Sequence, residues 1–326
     1  MALSSFTIPS GDRWGYALAI GGAVLFSTKG IFIKLAYAEN LPVETVMALR
    51  MSVALPVYGA ILLAVLVRSP EARRSLTQPL PVLLVVMTGL LGYYLSSYLD
   101  FIGLAYVSAQ YERLVLFTYP FFVLVLGVLF FRDRFSWTVV PGMVVSYCGI
   151  AALFGWNLVA EPEGLIEGTL FVLAAALSFA LYQHLAKRAM LLVSTVVFTC
   201  LAMSAAAIVS IGQDIVLHGV EGLAQLSPRG LALGLALGLV ATVLPSFMMN
   251  GAIARIGARG ASSTGAAGPV FTALLAVMVL GEPFTMAHAV GTVLVILGTL
   301  AFSRAERNLQ RGTNSSIRLP VPEKAL

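Results

Sequence analysis

From Trp14 onward, long apolar stretches alternate with short polar ones, and each apolar stretch is close to the length a helix needs to cross ~30 Å of hydrocarbon. The stretches fall at 14–37, 43–67, 79–101, 105–131, 137–156, 164–186, 193–216, 228–253, 259–281 and 286–303. The separators carry turn chemistry: Glu39-Asn40-Leu41-Pro42, Arg68-Ser69-Pro70, Glu161-Pro162-Glu163-Gly164 and Ser227-Pro228. This pattern predicts an all-α integral membrane protein with ten transmembrane helices. The leading residues lack a basic n-region and a cleavage site, so the first stretch is expected to be a retained helix behind a cytoplasmic segment at 1–13. From Arg304 the chain turns polar, and 304–326 are expected to form a solvated, disordered tail.

Composition narrows the class. Hydrophobic residues make up 59% of the chain and charged ones 11%, with a mean hydropathy of +0.93. Soluble domains carry about 25% charged residues, and disordered chains lack this apolar mass. The net charge of +5 is scattered singly between apolar runs, which excludes the clustered basic patch of a nucleic-acid binder. It reports orientation instead. With the N-terminus inside, fifteen of the twenty basic residues fall on the cytoplasmic side, among them Arg68, Arg73, Arg74, Lys187 and Arg188. Only Arg229 falls outside, where the acids Glu39, Glu44, Glu161, Glu163, Glu167, Asp214 and Glu221 collect. That bias predicts both termini cytoplasmic, and the expected location is a bacterial inner membrane.

The chain repeats itself. A shift of 149 residues pairs Gly89 with Gly238, Ser97 with Ser246, Pro120 with Pro269, Asp133 with Glu282, Gly142 with Gly291 and Gly149 with Gly298. At the start of each half, a shift of 153 pairs Gly15 with Gly168, Phe26 with Phe179 and Lys34 with Lys187. The halves, 14–156 and 164–303, each hold five helices, an odd number, so they are expected to insert with inverted topology. Inverted repeats that rock about a midplane site are a signature of secondary transporters. The residues Tyr106-Val107-Ser108-Ala109, Pro120 and Asp133-Arg134-Phe135, echoed by Gly268-Pro269 and Gly281-Glu282-Pro283-Phe284, resemble the EamA-type drug/metabolite transporter superfamily. The resemblance implies a ten-helix bundle whose central cavity is lined by helices 1–4 and 6–9, with helices 5 and 10 peripheral.

A charge in the bilayer core costs at least ~2.5–3.5 kcal/mol, so each one inside a span needs a partner or a wet cavity. At ~1.5 Å per residue, Lys29 lies ~22 Å up the first helix and Arg50 ~10 Å below the outer end of the second. Glu112 and Arg113 sit at a depth similar to that of Arg50, while Asp100 is expected nearer the outer rim, at a different depth from Glu112. The second half carries Tyr182, Cys200, Met249 and Ala261-Ser262 at the matching positions. The fold is built twice and the charges once, which favours a substrate or coupling role over a structural network. Three cations against two acids leave one positive charge over, and a substrate carboxylate, gripped by an arginine fork, would balance it.

Tyr94, Tyr98, Tyr119 and Tyr182 add aromatic surface for a ligand, against the plainer reading of packing. Pro120 and Pro269 are expected to kink their helices at mid-span, freeing the carbonyls of Leu116 and Gly265. Asp133 and Glu282 are read as structural acids serving the dipoles of helices 5 and 10. The dispersed His184, His218 and His288 suggest no metal site, and the absence of phosphate-binding or nucleophile motifs leaves no cofactor expected. The reading is a non-enzymatic secondary transporter exporting a small polar metabolite or amino acid by alternating access, with a proton or other ion as candidate coupling partner. Its rivals are an exporter of cationic drugs, with Glu112 holding the cation, and an intramembrane enzyme, which would need paired acids at one depth.

Overall fold

In lipid the backbone must satisfy its own hydrogen bonds, and every regular element among the described residues is helical. The computed structural model describes residues 12–131, 135–160, 163–219, 226–262 and 267–316. In the first half these are α1 (Arg13–Ser27), α2 (Lys29–Ala38), α3 (Val43–Arg68), the short α4 (Pro70–Leu76), α5 (Pro79–Gly89), α6 (Ser96–Tyr106), α7 (Ala109–Leu116), α8 (Tyr119–Phe130) and α9 (Val140–Ala160). The second half has α10 (Leu165–Ala189), α11 (Thr195–His218), α12 (Pro228–Gly238), α13 (Leu244–Ser262), α14 (Ala267–Leu275) and α15 (Met286–Ser316). Eight helices are long and apolar enough to cross a membrane, and Gly268–Leu280 and Met286–Phe302 are shorter apolar helices. Serines open several of them: Ser108, Ser194 and Ser227 each accept a hydrogen bond from a backbone N–H in the first turn.

Two pairs of equivalent helices, α3 with α11 and α9 with α15, pack antiparallel. Thr45 at the start of α3 donates to Asp214 near the end of α11 (2.7 Å). Gly142 of α9 faces Gly298 of α15, while Gly149 faces Gly291, so these two helices also cross in opposite directions. A Cβ at any of the four would press on the facing helix, which is why small residues stand there. The wider pairing is likewise unchanged when the halves are exchanged: α1 packs on α13 and α6 on α10, while α3 packs on α11 and α9 on α15. Even the irregularities recur. A π-turn at Leu90–Leu95 joins α5 to α6, and another at Leu239–Val243, 149 residues on, joins α12 to α13. Inverted topology is thus a property of the packing.

The helices differ in detail from the sequence pattern. The first stretch spans the membrane as expected, over Arg13–Ala38, but with a local turn at Thr28, whose Oγ1 donates to the Leu25 carbonyl (2.7 Å) while Ser27 Oγ donates to Ala23 (2.8 Å). Hydroxyls bonding back one turn loosen a helix. Pro120 does not kink a continuous helix: the break lies just before it, at Phe117–Thr118, and Pro120 occupies the first turn of α8, where its missing N–H is no loss. Pro269 stands near the start of α14, and Gly265 lies outside the described residues. The last helix does not stop near Phe302 but runs to Ser316, into the segment expected to be disordered; Ala305, Glu306, Arg307, Leu309 and Gln310 are all good helix formers. Helix 8 turns at Gly257, with φ +76°, into the residues that begin the next stretch.

Candidate functional site

The interruptions converge on one cavity of about 800 Å³, counting the space that continues toward solvent. The turn in the first stretch places Lys29 at the first residue of α2, the π-turn after Gly89 brings Tyr93 to the wall, and the break after α7 brings Phe117 and Tyr119. Arg50 enters from α3, Asp100 from α6 and Arg113 from α7. Phe179, Met203, Ser246 and Met249 close the cavity from the second half. Its wall is charged on the first-half side and uncharged on the other.

Lys29 Nζ lies 2.5 Å from Asp100 Oδ2. Glu112, on α7, is a close electrostatic neighbour of Asp100. Asp100 Oδ1 and Glu112 Oε1 are buried with no donor among the described residues. The expectation that these acids lie at different depths is therefore wrong. Helix α6 runs on to Tyr106, six residues past Asp100, which sinks Asp100 roughly 9 Å below the helix end. It is 1% exposed, as is Glu112.

The two arginines have no acid within ion-pair distance among the described residues. Arg113 donates through Nη2 to the Ala23 carbonyl (3.2 Å) and to Ser27 Oγ (3.4 Å), tying α7 to the turn in the first stretch. Arg50 is 4% exposed and lies over the Phe101 ring at 4.8 Å, yet its Nε and Nη2 find no acceptor. Arg50 thus lines the cavity with two guanidinium nitrogens buried and without an acceptor among the described residues.

The other sequence candidates divide. Tyr119 lines the cavity and meets Phe179 edge-on at 5.4 Å. Tyr94 and Tyr98 stack on each other away from it, toward the end of the bundle that holds Glu39, where Tyr98 donates to Glu44 (2.9 Å) and Tyr94 to Gln213 (3.1 Å). Tyr182 lies behind the wall in a buried network: it bonds Tyr93 (2.6 Å) and Asn250 Oδ1, and Asn250 donates on to Thr199 (2.9 Å). Sequence reasoning missed Tyr93, Thr199 and Asn250; a lone Asn in an apolar helix was the available signal. It also placed Asp214 among the acids of an outer loop, whereas Asp214 lies inside α11, fully buried, bonded to Thr45 and His218. Glu282 serves the opposite half and not its own helix: its carboxylate accepts from the N–H groups of Ala109 (2.7 Å) and Gln110 (3.1 Å), capping α7. Asp133, its repeat partner, lies outside the described residues.

The EamA-like transporter family matches this sequence twice, over residues 13–155 and 166–304, one match for each half. The chain belongs to that family. This EamA-like protein is 28% identical over 281 residues to the uncharacterized transporter YcbK of Bacillus subtilis (strain 168), covering 83% of this chain and 86% of the relative. To the uncharacterized transporter YcxC of the same organism it is 24% identical over 217 residues, covering 65% and 69%. A solved crystal structure, 20% identical, shares the fold with a TM-score of 0.64 over 91% of this chain and 98% of the other.

Proposed function

We propose that this chain is a secondary transporter that crosses a bacterial cytoplasmic membrane ten times with both termini inside. It exports a small polar metabolite bearing a carboxylate, an amino acid above all, by alternating access through the central cavity. The observation that carries the substrate reading is Arg50, buried in the cavity wall with two donors unmet. A carboxylate satisfies both through parallel hydrogen bonds. The names of the relatives support transport in general, and the basic residues on one side of the sequence support the orientation.

The neighbouring carboxyls of Asp100 and Glu112 bear on the enzymatic rival, since paired acids are one way to hydrolyse a bond inside a membrane. Two observations favour transport. Asp100 is already held by Lys29, and Glu112 stands off the cavity wall. A carrier of purely cationic drugs fits poorly, because three cations against the two acids leave no attraction for a further one.

Thermal melting of the purified protein with amino acids, their amides and their decarboxylated amines tests the reading. The parent acid is expected to stabilise, and Arg50→Gln to weaken its binding by 10-fold or more, about 1.4 kcal/mol or above. If amide and amine stabilise as well as the acid, the carboxylate reading is wrong. Uptake of the stabilising amino acid into everted vesicles, and not into right-side-out ones, is the expected sign of export.

A further inference from the structure

We infer that the cavity selects amino acids with a large apolar side chain, which lies against Phe117, Tyr119, Phe179, Met203 and Met249 while the head group sits at Arg50. This rests on the amino-acid reading of the cavity and concerns the other end of the molecule. The apolar lining is continuous. Phe117 meets Tyr119 edge-on at 5.8 Å, and Tyr119 meets Phe179 in the same way at 5.4 Å. Phe179 in turn packs on the buried cluster that holds Met203 and Met249.

Hydroxyls line the cavity too, but their protons are committed elsewhere. Tyr182 donates to Asn250 Oδ1, so the bond between Tyr93 and Tyr182 (2.6 Å) takes the Tyr93 proton. Ser96 donates to the Ala175 carbonyl (2.9 Å), Thr242 to that of Leu237 (2.7 Å) and Ser246 to that of Val243 (2.8 Å). Ser97 stands apart from these, one turn before Asp100 on α6 and therefore at the charged end. A polar side chain laid on the far wall would exchange water for ring carbon and thioether, and a buried polar group without a partner is disfavoured. An apolar side chain gains from the same transfer.

The repeat accounts for the contrast between the two ends. Lys29 and Asp100, the ion pair joining α2 to α6, have Tyr182 and Met249 at the matching positions of the second half. The Tyr182 hydroxyl is turned into the network behind the wall, and Met249 lines the cavity with a thioether where Asp100 lines it with a carboxylate. One half thus supplies the charged end of the site, and the other supplies its uncharged image. Methionine side chains adapt to several shapes, so size and apolarity define the substrates, with leucine, methionine and phenylalanine all admitted.

Methionine and glutamine share a head group and are nearly isosteric, differing in the polarity of the side-chain end, so melting of the full-length protein with each is a direct test. Methionine, leucine and phenylalanine are expected to raise the melting temperature where glycine, serine and glutamine do not, with methionine binding at least about 10-fold more tightly than glutamine. Met203→Gln and Met249→Gln each bring an amide to the wall at nearly unchanged volume, and each is expected to erase most of that preference. A methionine that merely packs the core would lower the stability of the empty protein and leave the preference intact. Glutamine stabilising as well as methionine, or a preference that survives in the variants, overturns the inference. The wild-type comparison decides even where a variant does not fold.

Hexanoate against glutaramate repeats the comparison without the ammonium and separates this inference from the reading beneath it. If every amino acid stabilises alike, the amino-acid reading stands and the selectivity fails. If hexanoate stabilises better than glutaramate while no amino acid does, the apolar wall stands and the amino-acid reading fails. Stabilisation by none of these compounds overturns both.

Discussion

Replacing Arg50 by methionine should make the empty protein more stable and useless at once. Arg50 Nε and Nη2 have no acceptor among the described residues, in a side chain that is 4% exposed. A buried donor left unsatisfied costs about 1–3 kcal/mol, so two cost roughly 2–6 kcal/mol. The stacking of the guanidinium on Phe101 at 4.8 Å returns about 0.5–2 kcal/mol. The difference leaves roughly 0–5.5 kcal/mol of uncompensated cost, a span that contains the ~1–4 kcal/mol by which apolar replacement of buried ionic groups has stabilised other proteins. Methionine follows the arginine stem and adds no unmet donor. Thermal unfolding can be read on a Cys148→Ser background through the reaction of buried Cys200 with a thiol-specific dye. Arg50→Met is expected to melt above the wild type without ligand and to show no further rise with the stabilising amino acid. A variant that melts below the wild type would show that Arg50 holds helices together and is no unfilled anchor. A ligand-induced rise that survives the substitution would refute the anchor independently.

Gly298→Val should destabilise by about 1–3 kcal/mol, because its side chain would press on the backbone of Ser146 and Gly142, whereas Gly155→Ala, in open space, should be neutral; melting curves of the two decide. Glu282→Gln removes the charge that caps α7 and should cost about 1 kcal/mol, with a cysteine introduced at Gln110 labelling faster as the cap loosens. Asp12, outside the spans, is held below the ordinary aspartate value first by the Gly15 N–H and then by Arg255. A lowered value means that its cap and ion pair stabilise at neutral pH and are lost only as pH falls below ~3.9. Asp12→Asn should therefore flatten the pH dependence of melting in that acid window and leave the slope above pH ~5 unchanged.

The spans and the repeat were legible because lipid imposes them locally: length and apolarity are written residue by residue, and Gly142, Gly149, Gly291 and Gly298 mark close crossings wherever they fall. The five charged residues were legible for the same reason, since a charge in an apolar run announces itself; four line the cavity and the fifth, Glu112, neighbours Asp100. What escaped was relation. The depth of Asp100 turned on where α6 ends, a matter of the Val107-Ser108 turn and its capping serine. Hydroxyl-bonded turns such as that at Thr28 leave no trace in hydropathy, and they aim Lys29. Glu282 reaches α7 from 173 residues away, and Tyr182 meets Asn250 across the bundle; no periodicity within a helix encodes such a pairing.

The crossing of α9 and α15 has a consequence for the chain as a whole. Gly142 lies on Gly298 and Gly149 on Gly291, two contacts that become each other when the halves are exchanged, and Ser146 donates to Val295, the residue at its own position in the other copy. One five-helix unit therefore carries a face complementary to an upside-down copy of itself, the property that defines a two-fold dimer interface. Joined in one chain, the two copies need not be alike: the first carries Lys29, Arg50, Asp100, Glu112 and Arg113, and the second has Tyr182, Cys200, Met249, Ala261 and Ser262 at the matching positions.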